Sequence, residues 1–255
     1  MSGSVNSLVY LNEDILVLKN KSIQEYDIIE GGWSISKNNG LLPEKFVKQI
    51  SGMTKKQRHI EIGKYARDNK EFVKQLNDGF IEHMRLFREH NEIDEDRILS
   101  VKKDSITMYD QKPTVLEFDN VVFTLRETAS SYMLLRKKEF FLHAKTDRFW
   151  FKGLDHDVEA KDNLIEEIKI LMKFYEYKDK QFIFDYLQEL RHCYVSLELA
   201  HDYYRELNAI YQYKLKLRLA SNDVYFEYIQ DDQLEELDIS YNYENFLQPL
   251  IQLLV

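Results

Sequence analysis

A chain of 255 residues with 44% hydrophobic and 31% charged side chains has the make-up of an ordinary globular protein that can bury its own core. Its single cysteine, Cys193, excludes a disulfide framework and any cysteine-rich zinc site, and no uncharged run reaches the roughly 20 residues that span a bilayer. A net charge of −9 disfavours a polyanionic partner on average, yet the charges segregate: eight bases face three acids from Glu44 to Lys70, and eight acids stand without Lys or Arg from Asn222 to Phe246. The opening MSGSVNSLVYLNEDILVL lacks the basic-then-apolar pattern of an export signal, so a reducing, cytoplasmic setting is expected, with no membrane partner.

The first elements mix strand signals with turn formers. SLVYLN, DILVLKN and SIQEYDII read as strands, the last running through IQEYDIIEGGWSI to Gly31-Gly32. Residues 42–69 read as helix around a Ser51-Gly52 break, with Thr54 as cap and Ile62, Tyr65 and Ala66 on one face. Lys70 to His90 carries Phe72, Leu76, Phe80, Met84 and Phe87 at spacings of three and four, an amphipathic helix. ILSVKKDSITMY, residues 98–109, reads as a hairpin with a charged tip. A strand follows from Val121, then a short helix near Ser130 to Arg136, then a hairpin in EFFLHAKTDRFWFKG turning at KTD.

Beyond Asp155 the pattern is helical. Leu164, Ile168, Leu171, Met172 and Tyr175 form one stripe; Phe182, Tyr186, Leu190, Cys193, Tyr194 and Leu197 form another that continues toward Leu219. The pairing of two antiparallel helices is expected, with His192 and Cys193 in the apolar stripe. The fold class read from this order is α+β, an antiparallel sheet with packed helices, followed by an all-α C-terminal region. The divisions expected are an α+β domain over 1–155, a helical region over 156–222, and an acidic spacer with an apolar tail over 223–255.

Two aspartates carry the chemical interest. If the strand of Asp27 lies beside the hairpin, Asp27 and Asp104 converge at one end of the sheet. Paired carboxylates sharing divalent cations suit nucleotidyl transfer, where one ion activates the attacking hydroxyl and the other stabilises the leaving pyrophosphate. Lysines beside Asp104 favour its ionised form.

The order of these motifs resembles the palm of template-directed DNA polymerases, most closely the family B type in a strongly reduced, phage-like form. The likeness covers about residues 20–155 and rests on Asp27, TKKQRHIEIGKY, Lys102-Lys103-Asp104-Ser105-Ile106, Lys137-Lys138-Glu139-Phe140 and Lys152-Gly153-Leu154, followed by helices. In that family the hairpin tip carries a second acid where this chain has Lys102, and Gly32 stands where the sugar-screening tyrosine would be. Only 26 residues precede Asp27, fewer than a proofreading exonuclease domain needs, so palm, fingers and thumb alone are expected.

The resemblance implies Asp27 and Asp104 as catalytic metal ligands for Mg2+. It places Lys55, Lys56 and Arg58 at a helix start that attracts a nucleoside triphosphate, with Trp33 as a stop against the ribose. Lys103, Lys137, Lys138 and Lys152 would grip primer-template DNA through its phosphates. The C-terminal NFLQPLIQLLV is similar to the short peptides that dock replication proteins on a sliding clamp, with Gln252, Leu253 and Leu254 at its centre. The function implied is a Mg2+-dependent nucleotidyltransferase in DNA replication, a reduced DNA polymerase or primase-like enzyme. The alternative is a non-catalytic, polymerase-like replication or host-takeover protein, and a third reading, coincidental motif order, would leave Asp27 and Asp104 far apart.

Overall fold

A computed structural model describes residues 4–135, 137–153, 162–177, 180–196 and 198. They form two compact units, the first from residues up to Ile15 together with Lys21–Ala129, the second from Leu16–Asn20 together with the chain from Ser130 on.

The first unit is an antiparallel sheet with helices. Strands β1 (Val9–Leu11), β3 (Ile23–Ile28), β4 (Ile98–Lys102), β5 (Ser105–Tyr109), β6 (Glu117–Phe118) and β7 (Val121–Ala129) lie in the order β1-β4-β5-β3-β7-β6. The alternation in IQEYDI sends Tyr26 and Ile28 into the core, where they meet Val101, Ile106, Met108 and Phe123 from the neighbouring strands. Helix α4 (Lys70–His90) closes that face with Phe80, Met84 and Phe87, the Phe87 ring stacking on Phe123 at 4.4 Å. Each such ring or Met burial stabilises by about 1.5–3 kcal/mol, so this stripe is a main anchor of the unit.

Helix α1 (Gly31–Asn38) leads to α2 (Glu44–Ser51) and α3 (Lys55–Asp68), and a satellite core gathers Leu42 from the segment before α2, Ile50 of α2, Ile62 of α3 and Phe72 of α4. The expected break between α2 and α3 is there, and Thr54 closes a capping box with Gln57: the Gln57 amide donates to Thr54 Oγ1, and Gln57 Oε1 accepts from the Thr54 amide at 3.0 Å. Helix α1 replaces part of the extended run expected through Gly31-Gly32. Glu30 turns the chain in the left-handed region at φ 47, and its carbonyl accepts from the amides of Trp33 and Ser34 to start the helix.

The second unit holds β2 (Val17–Leu18), β8 (Ser131–Leu135), β9 (Lys138–His143) and β10 (Arg148–Lys152) in the order β10-β9-β8-β2, all antiparallel. The short helix expected near Ser130 to Arg136 is instead strand β8. SYMLL has no periodicity that separates strand from helix over five residues, and pairing on both sides to β2 and β9 decides the outcome. The second hairpin forms as expected, Phe141 stacking on Trp150 at 5.3 Å.

Helices α5 (Asp162–Tyr177) and α6 (Lys180–Val195) complete the described part. They run antiparallel, with the Phe174 ring against Phe182 and Tyr186 and the Tyr186 hydroxyl donating to Glu167 at 2.7 Å. Ile168, Leu171 and Met172 are buried as expected. Among the described side chains of α6, Leu190 is buried as expected, and Ile183 and Leu187 take the buried places expected for Phe182 and Tyr186. Phe182 is 40% exposed, though its ring and that of Tyr186 meet Phe174, and His192 is exposed where an apolar stripe was expected. Among the described residues, no helix is long and apolar enough to cross a membrane. The expected continuation toward Leu219, the acidic spacer and the tail with Gln252, Leu253 and Leu254 lie outside the described residues.

Candidate functional site

Strand β3 and the β4–β5 hairpin bring the two aspartates to one end of the sheet. Asp27 is paired with Ser105, and the next amide along, that of Ile28, donates to the Asp104 carbonyl at 2.8 Å. Strand alternation places Asp27 on the face opposite Tyr26 and Ile28, away from the aromatic core. The tip itself is narrow: Lys103 sits at φ 52, its amide donating to the Leu8 carbonyl at 2.7 Å, so the segment before β1 holds the turn from the side.

Gly31 makes the approach possible. A Cβ there would lie 2.8 Å from Cε1 of Phe80 and 3.1 Å from Cβ of Asp104, so only a residue without one lets α1 start against the hairpin tip. Gly32 has open space around it.

The electrostatics follow from this crowding. Burial pushes the Asp27 carboxyl above the usual carboxylate range, the nearby Asp104 carboxylate pushes it further, and Arg126 and Lys55 pull it back. Arg126 reaches Asp27 Oδ2 at 3.3 Å, while Asp27 Oδ1 is buried and has no hydrogen-bond partner among the described residues. An orphaned carboxylate oxygen beside a second carboxylate is a donor set with unused capacity for a hard cation. Among the described residues no three His, Cys, Asp or Glu side chains gather as one metal-holding group. Two carboxylates completed by substrate phosphates and water suit Mg2+, which seldom takes an all-protein cage.

The basic residues behave differently from one another. Lys55 and Lys56 open α3 and are exposed, Lys55 within electrostatic reach of Asp27. Arg58 is committed: its guanidinium meets both oxygens of Glu30, at 2.7 Å from Nη2, and also donates to the Met53 carbonyl. Trp33 lies within cation–π reach of Arg58 at 5.7 Å and Lys37 at 5.8 Å, its ring packed on the α2–α4 core. The reading of Arg58 as a hand for phosphate therefore meets a competing partner, Glu30, only 20% exposed.

In the second unit, Lys152 pairs with Glu139, and a Cβ on Gly153 would lie 3.3 Å from the Lys137 carbonyl. The Lys137-Lys138 and Lys152-Gly153 elements thus meet at one end of the β9–β10 hairpin. Lys152 also lies 5.3 Å from the Phe141 ring centre.

Sequence reasoning missed Arg126 and Glu30. The β3–β7 register shifts between Glu25 and Tyr26: Glu25 faces Glu127 and Tyr26 faces Leu125, leaving Arg126 as the extra residue of a bulge. Thr124, Leu125 and Arg126 are all exposed in β7, yet Phe123-Thr124-Leu125-Arg126 alternates apolar and polar residues, so the bulge leaves no trace in the sequence. Glu30 leaves none, since its role depends on a left-handed turn and a helix that starts 25 residues later.

Asp27 and Asp104 thus lie at one end of the antiparallel sheet of the first unit. The family model described as "Bacteriophage PBS1 gene 130 protein" matches residues 5–255, and the chain belongs to that phage family. No curated protein matches it.

Proposed function

We propose that the chain is a reduced, polymerase-like nucleotidyltransferase, its first unit serving as palm and fingers and its C-terminal helices as a thumb. The observation that carries this reading is the meeting of Asp27 and Asp104 at one sheet end, with a buried Asp27 oxygen that no described residue satisfies. Mg2+ held there would supply Lewis-acid activation of a hydroxyl and stabilisation of leaving pyrophosphate. Asp27 and Asp104 hold the cations, Lys55 and Lys56 meet the triphosphate at the start of α3, and Trp33 bounds the sugar. Lys103, Lys137, Lys138 and Lys152 contact the phosphates of primer-template DNA.

The test is extension of a primed DNA template with and without Mg2+. Extension that needs Mg2+ and is lost in both Asp27→Ala and Asp104→Ala is expected; undiminished extension by both variants rules the reading out. The C-terminal Gln252-Leu253-Leu254 segment is proposed to tether the protein to a sliding clamp, and a chain lacking Phe246 to Val255 should lose clamp binding. An unchanged affinity would remove that partner.

A second reading has its own observation. Lys102 stands where the resembled family has an acid, and Arg58 is already satisfied by Glu30, as befits a polymerase-like scaffold that binds nucleic acid or a replication protein without catalysis. It predicts binding that is indifferent to Mg2+.

A further inference from the structure

Arg126 occupies a position that neither the motif order nor the family accounts for. It is the extra residue of the β3–β7 bulge, so its side chain is re-aimed at Asp27 instead of following the alternation of the strand. Its contact is single, 3.3 Å long, and made by a side chain 59% exposed. The Arg58–Glu30 pair differs in each respect: two-pronged, 2.7 Å, with both partners at or below 20% exposure. One pair is built to stay and the other to let go. Among the described residues, the charged groups around Asp27 are Asp104, Glu25, Lys55 and Arg126, and of these Arg126 bonds to it.

We propose that Arg126 is a tethered counter-cation that holds Asp27 in the metal-free protein and yields its place when a divalent cation binds between Asp27 and Asp104. This rests on the metal-site reading of the two aspartates. The bulge fixes the backbone of Arg126 while four rotatable side-chain bonds let the guanidinium swing outward. The cation then gains the Oδ2 lone pairs that Arg126 had used and the Oδ1 that no described residue bonds. The structure thus assigns to this residue the setting of metal affinity.

Mn2+ titrated into the full-length chain and followed by the electron paramagnetic resonance of the free ion tests this without any catalytic readout. Arg126→Gln should bind Mn2+ about five- to tenfold more tightly than wild type, the scale of one unit charge removed from within a few ångströms of a divalent ion in a water-like dielectric. Arg126→Lys, which keeps the charge, should stay near wild type, and Asp27→Asn should bind weakly. Unchanged or weaker binding by Arg126→Gln, with Asp27→Asn still impaired, overturns the role of Arg126 and leaves the metal site standing. Affinity untouched by both Asp27→Asn and Asp104→Asn overturns the site and the counter-cation together. A far-UV circular dichroism melt of each variant verifies folding, which so exposed a side chain should not disturb.

Discussion

The Ile28 amide donates to the Asp104 carbonyl over 2.8 Å, which ties the strand carrying Asp27 to the turn carrying its partner. Gly31 sits against the same turn, 3.1 Å from Asp104 Cβ by its own would-be Cβ and 2.8 Å from Phe80. Gly31→Ala should destabilise by about 1–3 kcal/mol through overpacking and displace the tip. Gly32→Ala, with nothing within 4 Å, should be close to neutral. Urea unfolding of the two variants checks the contrast, and equal midpoints would contradict the account of the tip.

Glu30 and Arg58 join the left-handed turn before α1 to the first turn of α3. Arg58→Ala should cost about 1.5–3 kcal/mol, the range for hydrogen bonds to a charged group with little exposure. Arg58→Lys should recover little, because an ammonium cannot match the two-pronged geometry. Chemical denaturation of both in a Trp150→Phe background, where the fluorescence of Trp33 is a local probe, decides the point.

If Lys138 and Lys152 touch DNA phosphates, the doubly substituted Lys138→Ala, Lys152→Ala chain should weaken binding uniformly across sequences and flatten the dependence of log K on log salt by about 2. Gly153→Ala should act on the same surface by another route. Gly153 lies at φ +86 and a methyl group would press on the Lys137 carbonyl, so that junction of the hairpin must shift. Fluorescence anisotropy of labelled DNA at several salt concentrations measures both.

Glu167 offers a pH dependence whose sign can be worked out. Burial raises its carboxyl above the ordinary range, and the hydrogen bond from Tyr186 only partly offsets this. The folded state therefore holds the proton to higher pH than the unfolded chain. The associated stability is complete below the unfolded value and is lost as pH rises through the raised folded one. Glu167→Gln, which keeps an acceptor for Tyr186, should be more stable than wild type at pH 7 by on the order of 1 kcal/mol, a rise in Tm of about 2–4 °C. The difference should vanish below pH of about 4. Thermal melts at the two pH values measure it.

Most elements were legible because their cause is local. Lys70–His90 is a helix on its own periodicity, Thr54 caps α3 through its neighbour Gln57, and ILSVKKDSITMY alternates around a charged turn. Strand β8 was not, since Ser131–Leu135 becomes a strand only through partners at Val17–Leu18 and Lys138–His143. At the site, the meeting of Asp27 and Asp104 followed from placing one strand beside one hairpin. The Arg126 contact followed from nothing local, because a single extra residue in β7 decides which way that side chain points.

The division of the chain has a consequence for its birth on the ribosome. Strand β2 is made within the first 18 residues, yet its partner β8 begins at Ser131, so more than a hundred residues of the other unit emerge in between. Folding in order of synthesis can finish the sheet of the first unit while β2 waits unpaired. A cut at Ala129 would then strand that short segment on the wrong polypeptide, and the second unit would have to recover it from another molecule.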